Sequence, residues 1–253
     1  MLNEIVALVK EAGEMIRSAH QIERDTREKN GAADLVTKYD VAVQEFLKRG
    51  LLQLMPQADF FGEEGEKEKL TRDWCFIVDP IDGTTNFVRE MNYSNIAVAL
   101  AYRGQVRYGV VYNPFVGELF AAERGKGATM NGQPIHVSDK DVDHGIVLCG
   151  STIYDRTLTR RNFAILEDLY DKALDYRRFG AAELDICQVA AGRAEMYYEC
   201  RLSPWDYAAG SVIVEEAGGH LSQLDGSPVS LTERSSVWCT NDKCYPAWQG
   251  LPE

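Results

Sequence analysis

The chain has 253 residues, 45% of them hydrophobic, and a net charge of -12 from 27 basic and 39 acidic residues. That length suits one large domain or two modest ones, and the negative charge disfavours direct contact with nucleic acid or an anionic membrane. Six cysteines without a C-x-x-C pair and four scattered histidines disfavour a zinc site and predict reduced thiols in a cytoplasmic protein. We expect neither a cleaved leader nor a membrane span, because no such apolar pattern occurs.

The first predicted element is an amphipathic helix over residues 2–20, where apolar residues recur at helical spacing. The polar residues 21–33 are predicted to form a loop or an extended hairpin. A second helix is predicted to begin after Thr37 and to end before Pro56. Thr37 and Asp40 have the spacing of a capping box, so on this pattern alone Asp40 caps its own helix.

The next segments place carboxylates beside apolar residues. The run Phe60-Phe61-Gly62-Glu63-Glu64 passes from apolar residues through a glycine into two acids, whereas residues 66–69 alternate in charge as exposed loops do. The apolar residues 74–78 predict a short buried strand. We expect that strand to end at Asp79, because Pro80 has no N–H to donate to the sheet.

Asp79 and Asp82 lie at the end of this strand, and Gly83-Thr84-Thr85 then turns the chain. Two neighbouring carboxylates resist ionisation in a partly dry site unless a cation neutralises them, and Mg²⁺ prefers such oxygen ligands. The free N–H groups of the turn could face an anion. Asp, Pro and Gly are also ordinary turn residues, so D-P-x-D-G alone fits a simple turn about as well.

Strands that follow one another predict an antiparallel meander in the middle of the chain, and alternating strands and helices predict an α/β arrangement after it. The meander covers residues 94–102, 106–112 and 119–122, with turns at Arg103-Gly104 and Asn131-Gly132. The alternation covers strand 146–149, helix 158–170, strand 177–179, helix 184–191 and strand 194–198. We expect one compact unit with an N-terminal α+β half, residues 1–140, and a C-terminal α/β half, residues 141–253, joined at a soft boundary.

A last helix is predicted to begin near Pro204 and Asp206 and to end at Gly218-Gly219. Taken alone, Asp206 fits an acid in the first turn of a helix, where the helix dipole favours negative charge.

Four separated segments resemble, in the same order, the motifs of the inositol monophosphatase family. They are D-L-V-T-x-x-D at residues 34–40, G-E-E at 62–64, D-P-I-D-G-T-T-N-F at 79–87 and W-D-x-A-x-G at 205–210. The resemblance covers most of the chain and implies a mixed α/β fold, the layered αβαβα sandwich of inositol monophosphatases and fructose-1,6-bisphosphatases. It also implies a homodimer that hydrolyses phosphate monoesters with two or three Mg²⁺ ions and is inhibited by Li⁺.

The same resemblance implies roles for individual residues. The implied metal ligands are Glu63, Asp79, the carbonyl of Ile81, Asp82 and Asp206. Thr84 and Glu63 match the pair that orients the attacking water, and Asp40 matches the residue that supports Thr84. The implied substrate contacts are Asp82, the N–H groups of Gly83 and Thr84 at the phosphate, and Gly180, Ala182 and Glu199 at the alcohol.

The preferred alcohol stays open at this point. Glu183 stands where family members often carry a small residue, and it either disfavours a second phosphate or simply starts the next helix. Our first expectation is a broad inositol monophosphatase acting on a small phosphorylated polyol or sugar. The alternatives within the family are fructose-1,6-bisphosphatase, NADP phosphatase, 3′-phosphoadenosine phosphatase and histidinol-phosphate phosphatase. The alternative of another class is a regulatory binding protein in an RNA-processing complex, without direct contact to nucleic acid.

Overall fold

The computed structural model describes residues 1–19, 22, 26–28, 35–65 and 70–245. The predictions for residues 20, 21, 23–25 and 29–34, with Asp34 of the first motif, and for residues 66–69 lie outside the described residues. The helices are α1 Leu2–Arg17, α2 Lys38–Leu54, α3 Thr84–Val88, α4 Thr159–Tyr170, α5 Ala182–Ala190 and α6 Ala208–Glu216. The strands are β1 Thr26–Glu28, β2 Leu35–Thr37, β3 Asp59–Gly62, β4 Trp74–Asp82, β5 Asn95–Tyr102, β6 Gln105–Asn113, β7 Glu118–Glu123, β8 Ala128–Met130, β9 Gln133–Pro134, β10 Ile146–Cys149, β11 Asp175–Arg177, β12 Met196–Leu202, β13 His220–Ser222 and β14 Ser235–Thr240.

Helix α2 begins where its local sequence predicts. The Thr37 hydroxyl accepts a hydrogen bond from Tyr39 N at 3.1 Å, and the Asp40 carboxylate accepts one from Thr37 N at 2.7 Å. The capping box is therefore confirmed, because each side chain satisfies a backbone N–H that has no partner within the helix.

A sheet in the order β3-β4-β5-β6-β7-β8-β9 forms the N-terminal part of the described fold. Only β3 and β4 are parallel among these pairs; the others are antiparallel. The turn between β5 and β6 confirms the predicted hairpin. Arg103 and Gly104 both have positive φ angles, 49° and 77°, as a two-residue turn of this hand requires.

Strand β4 is longer than its sequence predicts. We expected it to end at Asp79, but it continues through Pro80 to Asp82. Pairing with β3 stops at Val78, and the register with β5 shifts between Asp79 and Asp82. The missing N–H of Pro80 therefore falls where the ladder is already irregular, which is where sheets tolerate proline.

The second large sheet has the order β11-β10-β12-β14-β13. Strand β10 is parallel to both β11 and β12, whereas β14 is antiparallel to β12 and β13. The predicted alternation of strands and helices over residues 146–198 is confirmed in its order, but the strand expected at 177–179 lies at Asp175–Arg177 and the last strand extends to Leu202. Strands β13 and β14 were not predicted, although the run S-S-V-W-C-T in β14 is typical of a buried strand.

Successive strand residues belong to different apolar cores, and this alternation stacks the layers. In β4, Phe76 packs in the core with α1 and α2, whereas Ile77 packs in the core with α5 and α6. In β12, Tyr197 shares that second core, whereas Tyr198 packs with α4. The resulting order of helix, sheet, helix, sheet, helix confirms the expected αβαβα sandwich. The division into two halves near residue 140 stays a prediction.

Helix α6 lies unusually close to β6. A Cβ built on Gly109 would be 2.4 Å from the carbonyl oxygen of Ala209, so a glycine is required at this contact.

All six cysteines are free thiols. No helix among the described residues is long and apolar enough to cross a membrane.

Candidate active site

A cavity of about 250 Å³ opens where the end of β4 meets the start of α3, the start of α5 and strand β12. This volume is close to the lower end of small-molecule pockets, which start at about 300 Å³. Except for Asp40, every site residue that the family motifs imply lines the cavity. These residues are Glu63, Asp79, Ile81, Asp82, Gly83, Thr84, Gly180, Ala182, Glu199 and Asp206.

Three aspartates from two separate segments share the cavity wall. Asp79 and Asp82 come from the irregular end of β4, and Asp206 ends a short 3-10 helix, Pro204–Asp206, just before α6. Desolvation and the nearby carboxylates raise the pKa of Asp79 and of Asp206 well above the usual range. Desolvation also raises the pKa of Asp82, to about 6, against the opposing effect of its hydrogen bonds.

Asp82 joins β4 to α5. Its carboxylate accepts hydrogen bonds from Asn95 Nδ2 at 2.7 Å, from Ala182 N at 3.1 Å and from Glu183 N at 2.9 Å. The last two donors are the first N–H groups of α5, which have no partner within the helix. A carboxylate at a helix N-terminus is also favoured by the helix dipole, so these contacts fix the position of Asp82 and favour its charged form.

Asp79 and Asp206 are each oriented by one short backbone contact. Asp79 Oδ1 accepts a hydrogen bond from Ile81 N at 3.0 Å, across the irregular turn of β4. Asp206 Oδ2 accepts one from Ser203 N at 2.8 Å and completes a capping box with that serine. The local role predicted for Asp206 is therefore correct, and the same carboxylate also faces the cavity.

The donor chemistry of this wall fits a hard divalent cation. Within the described ranges, no Lys, Arg or His forms an ion pair with Asp79, Asp82 or Asp206, and adjacent carboxylates without a positive partner are costly. Oxygen ligands of this kind suit Mg²⁺. No group of three or more His, Cys, Asp or Glu side chains in that part of the chain is already arranged to hold an ion.

Thr84 connects the wall to Asp40. Its Oγ1 donates a hydrogen bond to the carbonyl oxygen of Ile81 at 3.1 Å and lies 3.5 Å from Asp40 Oδ1. A hydroxyl has one hydrogen to donate, so these two acceptors compete for it. Desolvation raises the pKa of Asp40 to about 7, although its bonds from Thr37 act in the opposite direction. Asp40 thus caps α2 and also reaches the residue that the family motif places beside it.

Gly83 starts α3 in a conformation that requires glycine. Its φ angle is +78°, and an added Cβ would lie 3.0 Å from Ala181 Cβ and 3.1 Å from the carbonyl oxygen of Tyr93. Asn86, in the same motif, donates to the carbonyl oxygens of Tyr93 and Phe179, each at 2.8 Å. The turn after β4 is therefore fastened to the segment that leads into α5.

Glu199 organises the opposite side of the cavity. Its carboxylate accepts hydrogen bonds from Thr152 N at 2.7 Å, Thr152 Oγ1 at 3.1 Å and Tyr197 OH at 2.9 Å. A Cβ on Gly150 would lie 1.9 Å from Glu199 Oε2, so this approach needs a glycine. Burial raises the pKa of Glu199. The implied alcohol contact is thus also the anchor of the loop over residues 150–155.

Asp185 lines the cavity and was missed by the sequence analysis. It accepts a hydrogen bond from Tyr93 OH at 2.9 Å, and desolvation raises its pKa well above the usual range. Its spacing was a usable signal, because Asp185 follows the predicted contact Ala182 by three residues, one turn along the same helix face.

Glu183 does not line the cavity. It belongs to the first turn of α5, as one of its two interpretations held, and its side chain is fully buried against α6. There its carboxylate accepts hydrogen bonds from Ala209 N at 2.9 Å and from Gly210 N. The concern that an acid at this position repels a second phosphate therefore loses its basis.

Known proteins are similar to this chain over most of its length. Residues 1–250 match the model of the inositol monophosphatase family. Inositol monophosphatase 3 of Solanum lycopersicum is 37% identical over 92% of this chain and 89% of the relative. The Nus factor SuhB of Escherichia coli strain K12 is 34% identical over 89% of this chain and 86% of the relative. A crystal structure of extragenic suppressor protein suhB from Bartonella henselae matches with a TM-score of 0.88 at 30% identity, covering 95% of this chain and 93% of the other.

Proposed function

The chain belongs to the inositol monophosphatase family, and on that premise we propose that it hydrolyses phosphate monoesters of small polyols or sugars with Mg²⁺. The observation that carries the proposal is the wall of Asp79, Asp82 and Asp206, three carboxylates without a basic partner in the described residues, beside the turn at Gly83. The test is phosphate release from such esters before and after chelation with EDTA. We expect chelation to abolish turnover and added Mg²⁺ to restore it; full activity after thorough chelation contradicts the proposal.

The residues that would hold Mg²⁺ are Glu63, Asp79, the carbonyl of Ile81, Asp82 and Asp206. Bound Mg²⁺ supplies positive charge that neutralises phosphate oxygens and makes water more acidic. The carboxylates would then stay ionised, because their attraction to the cations offsets their repulsion of one another. Two or three ions are proposed from the resemblance, together with inhibition by Li⁺.

Thr84 is proposed to orient the attacking water. Its single hydroxyl hydrogen points to Ile81 O or to Asp40, so its lone pairs are left to accept a hydrogen bond from water. Glu63 supplies a second acceptor on the same cavity wall. Two acceptors fix the direction of the water relative to the phosphate, which contributes to rate by removing orientational freedom. No nucleophilic serine or cysteine is needed for this reaction class.

The phosphate is proposed to lie at the start of α3, where the N–H groups of Gly83 and Thr84 have no partner within the helix. The alcohol would then extend towards Gly180, Ala182 and Glu199. We propose inositol monophosphate as the first substrate to test. A panel with fructose 1,6-bisphosphate, NADP, 3′-phosphoadenosine phosphate and histidinol phosphate, each with and without Mg²⁺, ranks the alternatives by kcat/KM.

We also propose that the chain forms a homodimer through an apolar face on α4 and β11. Large apolar side chains are exposed there, namely Phe163 by 61%, Tyr170 by 64%, Leu174 by 66% and Tyr176 by 41%. Strand β11 is an edge of its sheet, and exposed apolar patches on edges favour association. A second copy of the same chain would cover the patch symmetrically.

The expected cytoplasmic location is in keeping with six free thiols.

A second candidate function is a place in a regulatory complex, because relatives 34% identical to this chain carry the name Nus factor SuhB. The net charge of -12 disfavours direct contact with RNA, so the partner in such a complex would be a protein surface. A catalytically inactive variant separates the two roles, since a binding role survives the loss of phosphatase activity and a metabolic role does not.

A further inference from the structure

One basic side chain stands among the cavity-lining residues of the described chain, and it is Arg178. The acids of the same lining are Glu63, Asp79, Asp82, Asp185, Glu199 and Asp206. A lone arginine in an acidic cavity is expected to pair with one of these carboxylates. In the described part of the chain Arg178 forms no such ion pair.

The two acids on the alcohol side already have protein partners. Glu199 receives three hydrogen bonds from Thr152 and Tyr197, and Asp185 receives one from Tyr93 OH. Both carboxylates are therefore held in place by the protein, and each keeps lone pairs that can accept a hydrogen bond from a substrate hydroxyl. Besides these acceptors, this side offers a ligand donors, since the guanidinium of Arg178 has five N–H groups and Ser151 Oγ takes only one of them, from Nε at 2.9 Å.

The guanidinium also lies at a useful place relative to the phosphate end. Nη1 of Arg178 is 3.1 Å from the position that a Cβ on Gly180 would occupy, so the guanidinium rests against that glycine. The carbonyl oxygen of Gly180 is in turn 3.3 Å from the corresponding position on Gly83. Gly180, an implied alcohol contact, thus lies next to both the turn at Gly83 and Arg178, which puts the guanidinium on the alcohol side of the cavity.

The neighbouring Arg177 shows that this arrangement is particular to Arg178. Both arginines are exposed, but Arg177 lies outside the cavity, where Nη1 pairs with Asp175 at 2.7 Å and donates to the carbonyl oxygen of Tyr176 at 2.7 Å. The two adjacent arginines therefore differ in location and in pairing, and Arg177 provides a matched control.

We propose that Arg178 determines specificity by binding a second anionic group, a phosphate or a carboxylate, on the alcohol part of the substrate. The inference rests on the proposed phosphatase function. Guanidinium groups bind both kinds of anion in a forked geometry. Glu183 does not oppose this, because its carboxylate is turned towards α6 and away from the cavity.

The test compares esters that differ only in the second anion, in wild type, Arg178→Gln, Arg178→Lys and Arg177→Gln. The carboxylate arm pairs 3-phosphoglycerate with glycerol 3-phosphate, and the phosphate arm pairs fructose 1,6-bisphosphate with fructose 1-phosphate. In at least one arm Arg178→Gln should lower kcat/KM about tenfold for the ester with the second anion and change the simple ester little, because a hydrogen bond to a charged group is lost. Arg178→Lys should retain part of the preference, and Arg177→Gln all of it.

The outcomes separate the inference from the function on which it rests. An equal loss on both members of each pair shows that Arg178 contacts the reacting phosphate or the fold, and no loss on either shows that it contacts neither; each result overturns the inference. If Arg177→Gln has an equal effect, the preference comes from the general positive charge of this region and not from Arg178, which also overturns the inference. If no ester is hydrolysed, the proposed function fails, while calorimetric Kd values of the same esters for wild type and Arg178→Gln still decide whether Arg178 binds the second anion.

Discussion

The carboxylate of Glu183 accepts a hydrogen bond from Ala209 N at 2.9 Å, so a side chain of α5 closes the N-terminal end of α6. The backbone N–H of Glu183 also donates to Asp82 at 2.9 Å. One residue therefore joins the end of β4 to the two helices between the sheets. Because Asp206 lies just before α6, this connection fixes the separation of two predicted metal ligands.

We predict that Glu183→Gln lowers the free energy of unfolding by about 1–3 kcal/mol, the cost of one unmade buried hydrogen bond. The amide keeps one acceptor oxygen, but its NH₂ group faces a backbone N–H and cannot bond to it. The measurement is urea unfolding with an unchanged slope. Glu167→Gln, an exposed acid on α4, is the control and should stay within about 0.5 kcal/mol. Equal effects of the two substitutions would show that Glu183 contributes nothing through α6.

Local patterns could be predicted from the sequence, and distant pairings could not. The capping box of Thr37 and Asp40 spans three residues, so its chemistry can be recognised within one helical turn. The bond from Ala182 N to Asp82 joins residues 100 apart, and the bond from Ala209 N to Glu183 joins residues 26 apart. No periodicity encodes such contacts, because they depend on how whole layers pack.

The site shows the same division. Asp79 and Asp82 stand out by their spacing at the end of a buried strand, whereas the metal role of Asp206 was implied only by the family resemblance. Asp185 and Arg178 were missed because neither belongs to a motif, and each lines the cavity only after α5 has packed between the sheets. The extension of β4 through Pro80 was missed for a related reason. Its lack of an N–H is harmless only where the partner strands no longer pair regularly.

Replacing Asp79 tests the carboxylate wall directly. We predict that Asp79→Asn lowers kcat at least about 10³-fold, comparable with the loss of a key transition-state stabiliser. The fold should persist, because without a cation this buried carboxylate mainly repels its neighbours. The measurements are kcat and the rise in Tm on adding Mg²⁺, which should also disappear. Asp73→Asn, an exposed acid just before β4 that pairs with Arg103, is the control and should leave both unchanged. A near-normal kcat in folded Asp79→Asn would show that Asp79 is not a metal ligand and serves only in the turn.

The proposed homodimer can be tested at the apolar face of α4 and β11. We expect wild type to sediment as a dimer and Phe163→Arg to shift the mass towards the monomer, because a charge would be buried in the contact. Val116→Arg is the control, since Val116 is also exposed, by 59%, but lies on the turn between β6 and β7. A monomeric wild type would contradict the proposed dimer, and a dimer that survives Phe163→Arg would place the interface elsewhere.

The last prediction separates the phosphate end of the cavity from its alcohol end. The carboxylate wall binds the group that all phosphate monoesters share, so it cannot choose among them. Glu199 is on the alcohol side and carries a carboxylate that can still accept a bond from a ring hydroxyl. The loss of a hydrogen bond to a charged acceptor costs about 1.5–3 kcal/mol, or about tenfold to hundredfold in binding. We therefore predict that Glu199→Gln lowers kcat/KM for inositol phosphates by that factor and changes hydrolysis of a simple aryl phosphate much less.

The matched control for this substitution is Glu195→Gln. Glu195 is equally buried, accepts a hydrogen bond from Ile146 N and lies outside the cavity, so its loss should lower stability without changing the ratio of the two kcat/KM values. Glu199 also has a structural role, because its carboxylate accepts a hydrogen bond from Thr152 N and so anchors the loop over residues 150–155. The amide oxygen of Gln can still accept from Thr152 N, so the loop should remain in place and the ratio should report the alcohol contact. If both substrates fall by the same factor, Glu199 serves the loop or the metal ligands, and the separation of the two ends is wrong.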